Sequence, residues 1–121
     1  MLKKRLLVID DEAGICSLMK ACLEPEYEVL VALDGPAGVQ MAKTLQPHGI
    51  LLDIGLPTMD GFSVLKALRM APETVRTPVI ILSGRGESDA LMDMQTLGAS
   101  EYLIKPVTLE EVRTTVRRYV G

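Results

Sequence analysis

The sequence predicts an α/β fold: a doubly wound parallel sheet made of five βα units in strict alternation. Three observations predict it. Short apolar runs alternate with segments whose apolar residues recur at helical spacing. Several runs, such as Leu6-Leu7-Val8-Ile9 and Val79-Ile80-Ile81-Leu82, are unbroken rather than alternating, as strands covered on both faces must be. Four of the runs end in polar residues of distinct chemistry, Asp10-Asp11, Asp53, Ser83 and Lys105, and open parallel sheets gather their ligands at the carboxyl ends of the strands.

In order along the chain, the first strand is expected over residues 5–9 and the first helix over about 13–23. That helix should turn Ile15, Leu18, Met19 and Cys22 to one face and stop before Pro25. The second strand is expected over 28–32, followed by a helix over about 36–45 that is closed by Pro47. The third strand covers 50–53. Its helix, about 62–69, follows Asp60-Gly61 and should turn Phe62, Leu65 and Leu68 inward. The fourth unit pairs a strand over 79–83 with a helix over about 88–97, ended by Gly98 as C-cap. The fifth pairs a strand over 101–104 with a helix over about 109–119, opened by Thr108 and Glu111 as a capping box. No repeat, low-complexity tract or linker interrupts this pattern, so residues 1–121 are expected to form one domain. For that length the flavodoxin-like strand order 2-1-3-4-5 is the expected topology.

Composition narrows the function classes. A hydrophobic share of 48% with 24% charged residues places the chain among soluble globular domains. A net charge of -3, no Trp and one Phe argue against direct nucleic-acid binding, which needs a basic stripe or stacking aromatics. The basic start Met1-Leu2-Lys3-Lys4-Arg5 imitates a signal peptide, but the apolar stretch after it is too short for an h-region. Nothing later is long enough to span a bilayer, so a cytoplasmic protein with a native N-terminus and no membrane partner is expected. Cys16 and Cys22 fall on different faces of one helix, about 9 Å apart along its axis, and read as reduced packing residues.

In the expected strand order the first and third strands are neighbours where the order reverses, and they end in Asp10-Asp11 and Asp53. Carboxylates about 4 Å apart repel by roughly 4 kcal/mol per pair at an effective dielectric near 20. A bound cation relieves this. An all-oxygen site with few carboxylates suits Mg²⁺, or Mn²⁺ in its place, and no Cys/His cluster exists for zinc. Alone, Asp10-Asp11 would read as a helix N-cap; beside Asp53 they read as metal ligands. A carboxylate next to a metal can act as a nucleophile and form an acyl phosphate. In that chemistry Lys105 supplies a positive charge and Ser83 a hydroxyl donor.

Four segments together resemble the response-regulator receiver domain of two-component signal transduction. They are Leu7-Val8-Ile9-Asp10-Asp11-Glu12, Leu51-Leu52-Asp53-Ile54-Gly55-Leu56-Pro57-Thr58-Met59-Asp60-Gly61-Phe62, Pro78-Val79-Ile80-Ile81-Leu82-Ser83-Gly84, and Gly98-Ala99-Ser100-Glu101-Tyr102-Leu103-Ile104-Lys105-Pro106. The resemblance covers essentially the whole chain. It implies that Asp53 accepts a phosphoryl group from a histidine kinase or phosphotransfer protein. It also implies that Asp11, Asp53 and the Gly55 carbonyl bind the metal directly, with Asp10 acting mostly through water. Ser83 and Lys105 would contact the phosphoryl group, Tyr102 would rotate as Ser83 moves, and the Lys105-Pro106 bond would be cis. The output surface would be formed by the fourth helix, fifth strand and fifth helix, a face also offered for a homodimer. The chain is then either a free-standing regulator or the receiver of a longer one, a signalling switch rather than a metabolic enzyme.

Gly55 and Arg85 occupy positions that tune phosphoryl lifetime in that family, and two glycines, Gly84 and Gly86, give the backbone beside Ser83 room to rearrange. His48, between Pro47 and Gly49, reads as a loop residue, and Arg113, Arg117 and Arg118 suit the C-terminal end of the last helix. Three other readings compete. An aspartyl-phosphate phosphatase of the haloacid-dehalogenase type needs a second Asp two residues after the nucleophile, where this chain has Gly55. A nucleotide or flavin binder would need a glycine-rich phosphate loop, which is absent. A degenerate receiver used only for dimerisation would not need all five chemical positions.

Overall fold

A computed structural model describes residues 2–55, 60–84 and 98–121. Five strands, β1 (Lys4–Ile9), β2 (Tyr27–Ala32), β3 (Gly49–Asp53), β4 (Val79–Ser83) and β5 (Glu101–Ile104), pair in parallel in the order β2-β1-β3-β4-β5. This is the expected doubly wound sheet. The described helices are α1 (Ala13–Leu23), α2 (Gly35–Leu45), α3 (Gly61–Met70) and a C-terminal helix, Leu109–Val120. The expected helix over 88–97, together with Arg85, Gly86 and the tip of the loop after Gly55, lies outside the described residues.

Each unbroken apolar run feeds two cores, because successive side chains of a strand leave on opposite faces. Leu7, Ile9, Ile50, Leu52, Val79 and Ile81 pack on one face with Ala42 of α2 and Val64, Leu65 and Leu68 of α3. Leu6, Val8, Leu51, Ile80 and Leu82 pack on the other with Cys16, Met19 and Leu23 of α1 and Val112, Val116 and Val120 of the C-terminal helix. The close approach of α2 to the sheet depends on Gly38, where a Cβ would lie 2.6 Å from the Ile9 side chain.

Caps fix the helix ends. Asp34 accepts from the Ala37 N–H at 2.8 Å and Asp60 from the Ser63 N–H at 2.7 Å. Thr108 and Glu111 form the expected capping box. The far end of the C-terminal helix is tied to the sheet: Lys4 Nζ donates to the Val120 carbonyl at 2.7 Å and the Tyr27 hydroxyl donates to Gly121 O at 3.2 Å.

Two inward faces differ from expectation. The buried stripe of α1 is Cys16, Met19 and Leu23, while Leu18 is exposed and Ile15 and Cys22 are half-buried. This helix carries apolar residues around more than half its circumference, so periodicity alone admits two registers. In α3 the stripe is Gly61, Val64, Leu65 and Leu68, spaced i, i+3, i+4, i+7, which places Phe62 at its flank with 37% exposure. His48 is also more than a loop residue: its Nδ1 accepts from the Arg5 N–H at 3.0 Å, and its own N–H donates to the Arg5 carbonyl at 2.8 Å.

A matched pair of substitutions tests the packing of α2. Gly38→Ala should lose about 1–2 kcal/mol, since overpacking against Ile9 outweighs the gain in helix propensity. Gly14→Ala in α1, where a Cβ meets nothing within 4 Å, should gain up to about 1 kcal/mol. Urea denaturation of the two variants checks both signs.

Candidate functional site

The strand register builds the site. Ile9 pairs with Leu52, so the next residues, Asp10 and Asp53, stand side by side where the strand order reverses. Asp53 pairs with Leu82 and Ser83 with Ile104, which brings Ser83 and Lys105 to the same end of the sheet. Oxygens of Asp10, Asp11 and Asp53 lie within 4.8 Å of one another. The Lys105 ammonium is 3.2 Å from Asp53 Oδ1, and the Gly55 N–H donates to the same oxygen at 3.2 Å. The sequence-expected residues Asp10, Asp11, Asp53, Gly55 and Lys105 thus come together at one rim, with Ser83 at the same end of the sheet.

Their environments differ. Asp10 is 2% and Asp53 6% exposed, whereas Asp11 is open to solvent. Asp10 Oδ1 accepts from the Glu12 N–H at 3.0 Å, the turn that launches α1. Glu12 itself occupies the N-cap position, so Asp10-Asp11 are not the cap of this helix. Burial raises the Asp10 pKa above its ordinary value, the Glu12 bond opposes this, and the Asp53 charge adds to the rise. The Cys16 thiol donates to the Asp10 carbonyl at 3.4 Å, and burial followed by the Asp10 charge pushes it up to about 11. It is a packing residue, as expected.

Ser83 is fully buried, and its Oγ finds no hydrogen-bond partner among the described residues. An orphaned hydroxyl costs about 1–3 kcal/mol and leaves a donor unused. The backbone around it is tight: the Lys105 N–H donates to the Ser83 carbonyl at 2.6 Å, and the Lys105-Pro106 peptide is cis. Strand alternation sends Asp10, Asp53 and Lys105 towards the α1 face and Ser83 towards the opposite one. Tyr102, paired with Ile81, packs on that opposite core as a diagonal neighbour of Ser83.

Beside the crevice an apolar groove of about 380 Å³ runs between α1 and the segment after β5, lined by Ile15, Leu18, Lys105, Pro106, Val107 and Leu109. The exposed Leu18 that periodicity had placed in the core is part of its wall. The three arginines of the C-terminal helix are paired: Arg113 and Arg117 with Glu26, and Arg118 with Glu101. Arg117 chiefly, then Arg113, holds the Glu26 carboxyl below its ordinary pKa. No helix among the described residues is long and apolar enough to cross a membrane.

Comparison with known proteins converges on one family. A sequence profile of the response regulator receiver domain matches residues 6–117. The chain is 31% identical over 121 residues to sporulation initiation phosphotransferase F of Bacillus subtilis, covering 99% of this chain and 96% of that protein. It is 40% identical over 114 residues to the DNA-binding dual master transcriptional regulator RpaA of Synechocystis, covering 93% of this chain but 47% of that protein. The chain therefore spans about half or less of most of the curated relatives it matches. Among solved structures, the chemotaxis response regulator CheY4 of Vibrio cholerae superposes with a TM-score of 0.89 at 28% identity, over 97% of this chain and 98% of that one. The receiver domain of sensor histidine kinase PA1611 from Pseudomonas aeruginosa, solved with a magnesium ion in its active site cleft, does so with a TM-score of 0.89 at 26% identity, over 98% of both chains.

The raised Asp10 pKa has a definite sign. The folded state holds the Asp10 proton more tightly than the unfolded chain, so its contribution to stability is full below the unfolded value of 3.8 and is lost as pH rises through the folded pKa. With divalent ions chelated at pH 7, Asp10→Asn should therefore be more stable than wild type by on the order of 1 kcal/mol. The difference should shrink as pH falls towards 4. Thermal melts across pH check this.

Proposed function

The chain belongs to the response-regulator receiver family of two-component systems, and from that premise we propose that Asp53 is its phosphoacceptor. The observation that carries this reading is the setting of Asp53: a buried carboxylate with Asp10 and Asp11 on one side and Lys105 on the other. The donor is a histidine kinase or a phosphotransfer protein. An Asp53 oxygen attacks the phosphorus, a P–O bond forms, and the P–N bond to the donor imidazole breaks with its electron pair returning to nitrogen. Lys105 and the Gly55 N–H both hold Oδ1, which leaves Oδ2 as the attacking atom.

The site fits a hard divalent cation, because its donors are all oxygen and two of the three carboxylates are buried with one cationic partner among the described residues. Asp11, Asp53 and the Gly55 carbonyl would hold Mg²⁺ or Mn²⁺ directly, with Asp10 acting largely through water. The cation supplies neutralisation of charge on the phosphoryl oxygens. Lys105 then transfers its pairing from the carboxylate to the phosphoryl group, and the Ser83 hydroxyl donates its unused hydrogen bond to it. Movement of Ser83 opens space on its own face of the sheet, where Tyr102 turns inward. That alters the surface around β5 and the C-terminal helix read by the output partner, or shared by two copies. Two states result, and the phosphoryl group favours one because only that state satisfies Ser83.

Residues 1–121 act in this reading as one receiver domain, a cytoplasmic signalling switch that neither binds nucleic acid directly nor inserts into a membrane. The apolar groove is lined by Lys105, which pairs with Asp53, and so offers the donor a surface beside the acceptor.

Acetyl phosphate should label the protein in the presence of Mg²⁺ and not after chelation. Asp53→Asn, which keeps the shape but removes the anionic nucleophile, should abolish labelling; undiminished label would sink the assignment. Lys105→Ala should slow labelling by only about fivefold, since a pair with a partly exposed lysine is worth about 1 kcal/mol or less. It should nonetheless lose the phosphorylation-linked change in the Tyr102 ring signals.

A further inference from the structure

Lys105 reaches Asp53 from β5, a four-residue strand at the sheet edge whose residues are only partly buried. Pairing with β4 alone is a weak hold for such a strand. Its entry is fixed by side chains instead. Arg69, in the last turn of α3, donates from Nε and Nη2 to the Gly98 carbonyl at 3.2 and 2.9 Å, and from Nη1 to the Thr74 carbonyl at 3.1 Å. Two residues on, Ser100 Oγ accepts from the Val79 N–H at 3.1 Å while the Ser100 N–H donates to the Val79 carbonyl at 2.9 Å. Gly98 has φ +89, a left-handed backbone conformation that glycine adopts without steric cost, and this conformation presents its carbonyl to Arg69.

The rest of the clamp is hydrogen-bonded as well. Thr74 is fully buried and its hydroxyl donates to the Leu68 carbonyl at 2.6 Å, closing the end of α3. At the other end of the same helix, the Gly61 N–H donates to the Ile54 carbonyl at 3.1 Å, in the loop that leaves Asp53. One helix of ten residues, about 15 Å long, therefore touches the loop after the phosphoacceptor at its start and the entry to β5 at its finish.

We propose that Arg69 is a positioning residue: its clamp on the Gly98 carbonyl fixes β5, and so fixes Lys105 and Tyr102 relative to Asp53 through α3 as a strut. A basic residue at a helix C-terminus ordinarily serves its own helix through the macrodipole. This one reaches across to another element. A lysine could keep the charge but not the planar fork that holds two carbonyls at once. The inference rests on the proposed site for its labelling and Mg²⁺ readouts, and its amide-exchange readout is independent of it.

The test compares wild type, Arg69→Gln, Arg69→Lys and Val29→Ala, the last a core truncation on the opposite edge strand, at denaturant concentrations giving equal stability. Amide exchange of residues 100–105 relative to residues 6–9 should speed up about tenfold in Arg69→Gln, by less in Arg69→Lys, and not at all in Val29→Ala. Mg²⁺ affinity should stay within about twofold of wild type, because the carboxylates sit on β1 and β3. Acetyl phosphate labelling of Asp53 should slow measurably in Arg69→Gln, by no more than the roughly fivefold expected for Lys105→Ala, since the clamp acts on labelling through Lys105. Arg69→Gln behaving like Val29→Ala in both exchange and labelling would overturn the proposal and reduce Arg69 to a contributor to stability. Where Arg69→Gln does not fold, Arg69→Lys decides with the same signs. Absence of label on wild type would overturn the phosphoacceptor reading, while the exchange comparison would still decide the clamp.

Discussion

The structure is organised around a repulsion. Asp10, Asp11 and Asp53 bring their oxygens within 4.8 Å of one another, and at that separation each ionised pair opposes folding by roughly 3–4 kcal/mol at an effective dielectric near 20. Against this stand one lysine and two backbone N–H groups among the described residues. The strands that carry the charges also supply the offsetting stabilisation. Leu6, Leu7, Ile9, Ile50, Leu51 and Leu52 are all fully buried, and each such side chain contributes about 1.5–3 kcal/mol. A site that is unfavourable by itself is held together by the apolar runs leading into it. That leaves it suited to exchange self-repulsion for a bound cation.

The sheet divides the candidate site residues between its two faces. Asp10, Asp53 and Lys105 face α1, while Ser83 and Tyr102 face the core beneath α2 and α3. Communication between the two sides passes at the strand ends, where the Lys105 N–H and the Ser83 carbonyl are joined at 2.6 Å. In the proposed switch, the shared backbone of β4 and β5 links the two faces, and the anchorage of β5 sets the stiffness of that link.

Much of this was legible in the sequence. Apolar runs flanked by turn residues located all five strands to within a residue or two, since a buried parallel strand has little choice of composition. The site was legible because four strand ends carried complementary chemistry at once. Helix faces were less so: α1 is apolar at Ile15 and Leu18 as well as at Cys16 and Met19, and only the tertiary contacts decide which pair is covered. The flank position of Phe62 has the same origin. Arg69 and His48 left no trace in the sequence because their partners are backbone groups of Gly98, Thr74 and Arg5, and any residue presents those.

One tie has a wider reach. The last helical turn is usually the first part of a helix to fray, yet here its carbonyls are gripped by Lys4 on the central-strand side and by Tyr27 at the start of β2. The earliest and latest parts of the chain are therefore fastened to each other in space, 116 residues apart in sequence. Loosening the final turn frees the ammonium at the foot of β1, and loosening β1 strips the cap from the final turn. Fraying at either place therefore weakens the other, and the foot of β1 and the final helical turn loosen together.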